Sequence, residues 1–124
     1  MMKRNVAILG IGQTAVRDHW ELSLRELAVQ AGRAAMADAG MDRVDALYVS
    51  NMTSDRLNKQ RQLGAFIADH LRLGGVEAVK LEAACGSAGS AMRQGVMAIA
   101  SGAVDSVLLI GVEKLTETSP QDTT

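Results

Sequence analysis

The sequence predicts an α/β domain in the order βαβαβαβ, with a mostly parallel sheet and helices on both faces. Two observations carry this. Four short apolar runs alternate with segments of helical periodicity along the 124 residues, the pattern of strands joined by right-handed helical crossovers. The first and last runs, Val6-Ala7-Ile8-Leu9 and Val107-Leu108-Leu109-Ile110, are apolar throughout, as expected of strands covered on both faces.

The elements follow in order. After the first run, Ser23 and Glu26 form an S-x-x-E capping box, in which each side chain satisfies an orphan backbone N–H. Leu24, Leu27, Ala28, Ala31 and Ala35 then repeat on one helical face, and Gly40 is the expected left-handed stop. The second run is Ala46-Leu47-Tyr48-Val49. A second helix holds Leu63, Phe66, Ile67 and Leu71, begins between Asp55 and Gln62, and ends at Gly74-Gly75. The third run, Ala78-Val79-Lys80-Leu81-Glu82-Ala83, carries Lys80 and Glu82 at period two, which marks an edge or interface strand.

A third helix spans about 86–101, with Gly102 as its cap. Ala88, Ala91, Met92, Gly95, Val96 and Ile99 form its stripe, and Ala98 and Ala100 widen it almost all round, so the helix is expected between layers. The polar stretch 116–124, with the only proline, Pro120, reads as a loop.

Composition excludes several classes. The chain is 48% hydrophobic and 22% charged, enough to bury a core. A net charge of −1 with scattered basic residues argues against nucleic acid. No run approaches the ~20 apolar residues that cross a bilayer. The apolar start is too short for a signal peptide and leads into Arg17 and Asp18. One cysteine makes no internal disulfide and, with only His19 and His70, no zinc site. A cytoplasmic location is the reading that follows. His19 in a polar loop and His70 near a helix end are expected to be solvated.

Cys85 stands where the third apolar run gives way to a helix near Gly86. Ligands of open α/β sheets collect beyond the carboxyl ends of strands. The unpaired N–H groups of a helix start favour an adjacent anion, and the thiolate is the nucleophilic form of cysteine. Gly86, Ser87, Ala88 and Gly89 leave room for a substrate, and the Cys85 N–H is a candidate oxyanion donor. A buried structural cysteine is the alternative on position alone.

The surrounding residues add a resemblance. Glu82-Ala83-Ala84-Cys85-Gly86-Ser87-Ala88-Gly89-Ser90-Ala91-Met92 resembles the nucleophile segment of thiolases, with Ala88 where many thiolases have Gly. The block from Ser101-Gly102 through Val107-Leu108-Leu109-Ile110-Gly111-Val112-Glu113 to Thr116 is similar to the family's "Gly, strand, Gly-x-Glu" block. Val6-Ala7-Ile8-Leu9-Gly10-Ile11-Gly12-Gln13-Thr14 is similar to its opening strand. The likeness spans the whole chain and is greatest to archaeal and sterol-carrier-type thiolases.

The resemblance implies a thiolase-like fold of which residues 1–124 are the partial N-terminal domain, without the loop region or the C-terminal half. It implies acyl transfer from acyl-CoA onto Cys85, then Claisen condensation or, in reverse, thiolysis of a 3-ketoacyl-CoA such as acetoacetyl-CoA. CoA thioester is the substrate, and no further cofactor is expected. The His base, second Cys and Asn segment of thiolases have no counterpart here, so the chain alone is expected to be inactive. A homodimer or tetramer pairing through the third predicted strand, and a partner subunit supplying the C-terminal half, are implied. Ketoacyl synthases and hydroxymethylglutaryl-CoA synthases share the strand–Cys–helix site and form one alternative; a non-catalytic scaffold is another.

Two further signals have simpler explanations. Gly10-Ile11-Gly12 superficially matches a dinucleotide fingerprint, but no helix opens there to hold a pyrophosphate, so a tight turn is expected. Arg56, Lys59 and Arg61 stand close enough to a loop to suggest contact with CoA phosphates, but a solvated helix face is the simpler reading.

Overall fold

The computed structural model describes residues 4–116. Within them the order is α1 (Leu24–Ala39), β1 (Ala46–Ser50), α2 (Ser54–Leu57), α3 (Leu63–His70), β2 (Glu77–Leu81), α4 (Ser87–Ala100) and β3 (Val107–Gly111). The three strands are parallel, in spatial order β2-β1-β3. Tyr48 at the centre of β1 stands opposite Val79 and Leu109. The α/β class and parallel sheet therefore agree with the sequence. The third predicted strand is indeed at an edge, as β2.

Strand alternation divides the packing between two faces. Leu47, Val49, Leu108 and Ile110 meet Leu24, Ala28 and Val29 of α1 and Leu63, Ile67 and Ala68 of α3 in one buried cluster. On the opposite face Leu109 reaches Gly95 of α4, where an added Cβ would lie 3.2 Å from a Leu109 methyl. Small residues at the contact let α4 lie close to the sheet. Its outer side is bare, with Met97 about 43% exposed. The expected burial between two layers is thus met on one side only.

The first of the four predicted strands is not in the sheet. Residues 6–9 make no backbone hydrogen bond to a strand, and Ile8 and Leu9 are 74% and 66% exposed. They precede a segment docked on α1. A Cβ on Gly10 would lie 2.5 Å from the Ala35 carbonyl oxygen, and one on Gly12 2.4 Å from the Ala35 nitrogen. Neither glycine has positive φ, so close approach to α1, rather than the expected tight turn, explains both. Between residues 4–12 and β3 lies an apolar cavity of about 720 Å³, closed on one side by Met92, Gly95 and Ile99 of α4. An apolar run signals a strand that needs apolar neighbours, not which neighbour it pairs with. Here the cavity occupies the place beside β3.

Local punctuation explains most other boundaries. The capping box of α1 is complete: Glu26 N–H donates to Ser23 Oγ at 3.2 Å, and Ser23 N–H to Glu26 Oε2 at 2.8 Å. Gly40, at φ 64°, ends the helix. The second predicted helix is two helices. α2 is a single turn that the sequence pattern did not indicate, and α3 stops at His70, four residues before Gly74. Arg72, at φ 58°, turns the chain there, and its N–H reaches the Asp69 carbonyl. α4 starts and ends within a residue of its expected bounds. Of the stretch 116–124, only Thr116 falls within the described residues.

Candidate active site

All three strands point their carboxyl ends the same way, so the loops after Ser50, Leu81 and Gly111 form one rim. The rim is tied together through Asn51. Its Nδ2 donates to the Val112 carbonyl at 2.7 Å, and its Oδ1 accepts the Ser54 N–H at 2.7 Å. Beside it, Thr53 Oγ1 donates to Glu113 at 2.6 Å, and the Met52 N–H donates to the other Glu113 oxygen. Two carboxyl-end loops are thereby held to each other. The Ser54 hydroxyl in turn donates to the Gln60 carbonyl, which explains the single turn of α2.

Cys85 stands on the third loop of the rim. β2 ends at Leu81, earlier than the sequence suggested, and residues 82–86 form a tight turn into α4. The turn is closed by Gly86 N–H to the Ala83 carbonyl at 2.9 Å and Ser87 N–H to the Ala84 carbonyl at 3.1 Å, so closing it does not use the Cys85 N–H. Ala84, directly before the cysteine, is left-handed at φ 48°. Cys85 itself is a free, exposed thiol. The structural-cysteine alternative requires burial, and the side chain is not buried.

Electrostatically the turn is sparse. The Glu82 carboxylate accepts the Ala84 N–H at 2.8 Å, and no histidine lies in the turn. His19 is buried, not solvated as expected. Its Nε2 donates to the Ala15 carbonyl at 2.6 Å, within its own loop. His70, half-buried, donates from Nδ1 to the Phe66 carbonyl, packs edge-on to the Phe66 ring, and accepts from Arg25 at 3.4 Å. Both histidines are thus structural. Arg56, Lys59 and Arg61 are at least partly solvent-facing, as expected.

Cys85 lines neither the large apolar cavity nor a smaller one of mixed lining, about 420 Å³, between α1 and residues 57–60. Among the described residues no group of three His, Cys, Asp or Glu side chains is placed to hold a metal. None of their helices is long and apolar enough to cross a membrane. Sequence reasoning located the cysteine but passed over Asn51, Glu113, Ala84 and Ser87 as structural parts of the rim. The Gly-x-Glu spacing of Gly111 and Glu113 was the available signal for one of them.

A parallel sheet with helices on both faces, presenting an open thiol in the turn between an edge strand and a helix, defines an α/β protein of the strand–turn–helix kind. The chain belongs to the thiolase family: residues 6–124 match the model described as "Thiolase, N-terminal domain". It is 42% identical over 116 residues to the acetyl-CoA acetyltransferase of Methanothermobacter thermautotrophicus and 44% identical to that of Methanocaldococcus jannaschii. Each match covers 92% of this chain and 30% of the relative. Among solved structures, 3-oxoacyl-[acyl-carrier-protein] synthase III of Aquifex aeolicus superposes with a TM-score of 0.75 at 26% identity, over 87% of this chain and 35% of that one. The chain therefore spans less than a third of the length of the curated relatives it matches.

Proposed function

We propose that this chain is the nucleophile-bearing part of a thiolase-type acyltransferase, in which Cys85 takes the acyl group from an acyl-CoA. One observation carries the reading: in a chain of this family, the only cysteine is exposed in the turn that leads into α4. The Cys85 thiolate attacks the thioester carbonyl carbon, and the resulting oxyanion faces the Cys85 N–H. The intermediate collapses to acyl-Cys85 and expels the CoA thiolate, which takes up a proton. In the second half-reaction the enolate of another acetyl-CoA attacks the acyl carbon, giving a 3-ketoacyl-CoA and returning the Cys85 thiolate. Splitting the transfer through a covalent intermediate replaces one hard step with two easier ones.

The base that forms the enolate and the groups that hold CoA come from polypeptide outside this sequence. The chain alone is therefore inactive in the complete cycle, and no cofactor other than the CoA thioester takes part. The cavity between residues 4–12 and β3 and the bare side of α4 are the apolar surfaces left for that polypeptide. The exposed edge of β2 is the surface left for a second copy, in a cytoplasmic dimer or tetramer. The fold likeness to a 3-oxoacyl synthase supports a second reading, in which acyl-Cys85 forms in the same way but the condensing partner is carried by a protein.

Intact-mass measurement after incubation with acetyl-CoA tests the proposal. One acetyl adduct is expected, absent from Cys85→Ser. No adduct, even with the C-terminal polypeptide of an archaeal relative added, favours a non-catalytic scaffold instead.

A further inference from the structure

We infer that Ser87 is a positioning residue for Cys85, and that it works by holding Ala84 in its left-handed conformation. The inference rests on the reading of Cys85 as the acylated thiol. From 82 to 89 every residue is exposed except Ser87, which is 6% exposed. Its hydroxyl makes two hydrogen bonds: Oγ accepts the Ala83 N–H at 2.9 Å and donates to the Ala84 carbonyl at 2.6 Å. These groups flank the one strained residue of the turn, Ala84 at φ 48°.

A left-handed alanine is unfavourable by about 1–2 kcal/mol, and such a residue persists only where its surroundings over-determine it. Two backbone bonds close the turn, Gly86 N–H to the Ala83 carbonyl and Ser87 N–H to the Ala84 carbonyl, and two side chains add to them. On one side Glu82 accepts the Ala84 N–H; on the other the Ser87 hydroxyl clasps both ends of the 83–84 unit. The handedness of Ala84 sets the direction in which the next residue leaves the turn, and that residue is Cys85. The same serine is the first residue of α4, so the clasp also fixes the turn to the helix start. Removing the hydroxyl leaves the Ala83 N–H without a partner and frees Ala84 to relax to negative φ, which redirects the Cys85 Cα–Cβ bond.

The test uses Ser87→Ala, Ser87→Thr and the double variant Ala84→Gly/Ser87→Ala in the full chain. NMR couplings and carbon shifts report the φ of residue 84, and iodoacetamide alkylation reports Cys85 orientation through its rate. The left-handed signature is expected in the parent and in Ser87→Thr, which keeps the hydroxyl, and to be lost in Ser87→Ala. Thiol reactivity follows thiolate character and access, and a helix start favours an adjacent anion, so turning the sulfur away from α4 is expected to lower the alkylation rate of Ser87→Ala measurably below the parent's. Glycine adopts positive φ without strain, so the double variant recovers most of the rate even though its melting temperature stays low. A merely structural serine lowers the melting temperature without that recovery. Retention of left-handed Ala84 in Ser87→Ala with parental alkylation overturns the inference, as does a Ser87→Thr rate equal to that of Ser87→Ala. If the parent takes no acetyl group from acetyl-CoA, the proposed function fails, while the NMR and alkylation results still decide the role of Ser87.

Discussion

Gly64 of α3 lies against the backbone of Val79 in β2: a Cβ on the glycine would stand 2.7 Å from the Val79 carbonyl carbon and 2.9 Å from its Cα. No side-chain adjustment relieves a clash with backbone. Gly64→Ala must therefore push α3 away from the strand that leads to Cys85. Overpacking of this kind costs about 1–3 kcal/mol. The urea midpoint is expected to fall accordingly, with the m-value unchanged; an unaltered midpoint contradicts the close apposition of helix and strand.

Asn51 ties the loops after β1 and β3. Asn51→Ala leaves the Val112 carbonyl and the Ser54 N–H without this side-chain partner, a loss of about 1–3 kcal/mol for buried polar groups. Amide exchange should show the faster opening at residues 51–57, with α1 unaffected. Uniform acceleration across the chain argues that Asn51 supports global stability rather than the rim.

Glu26 supplies a pH signature. Its carboxylate accepts the Ser23 N–H, and that bond, with the Ser23 hydroxyl, holds its pKa below the ordinary value of 4.5. A depressed carboxylate pKa contributes stability above the unfolded-state value and loses it as pH falls through the folded value. The melting temperature of the parent chain should thus drop more steeply than that of Glu26→Gln as pH is lowered from 6 to below about 4.5. Parallel curves contradict a titrating cap.

Gly12→Ala places a Cβ 2.4 Å from the Ala35 nitrogen of α1. The penalty falls on the docking of residues 4–12 and not on the sheet. Cleavage of a locally opened segment follows its open population, so a penalty of about 1–3 kcal/mol raises thermolysin cleavage near Ile8, Leu9 and Ile11 by about fivefold or more. Equal cleavage of variant and parent contradicts the close contact with α1.

What the sequence disclosed depends on the range of the interactions involved. The start of α1 was legible because Ser23 and Glu26 satisfy each other three residues apart. The loop position of Cys85 was legible because strand and helix periodicities meet there. α2 was not, because its single turn depends on Asn51 and Gln60, which carry no helical pattern. His19 looks like a loop residue in sequence, yet the chain folds back so that its ring meets Ala15. The run at 6–9 has the composition of a strand, but composition does not specify a pairing partner, and it is the segment just after it, at Gly10–Gly12, that docks on α1. Ser87 shows the same limit: a small residue after Gly86 suggests open space, and only the folded turn reveals a hydroxyl shared between two peptide groups.

Peptide mapping after exposure to acetyl-CoA, with the C-terminal polypeptide of an archaeal relative present, asks whether the proposed acyl transfer from the CoA thioester reaches the Cys85 sulfur. Label is expected on the peptide that contains Cys85, released by hydroxylamine as a thioester should be and prevented by prior alkylation. Label found elsewhere, or undiminished after Cys85 has been alkylated, would contradict that transfer.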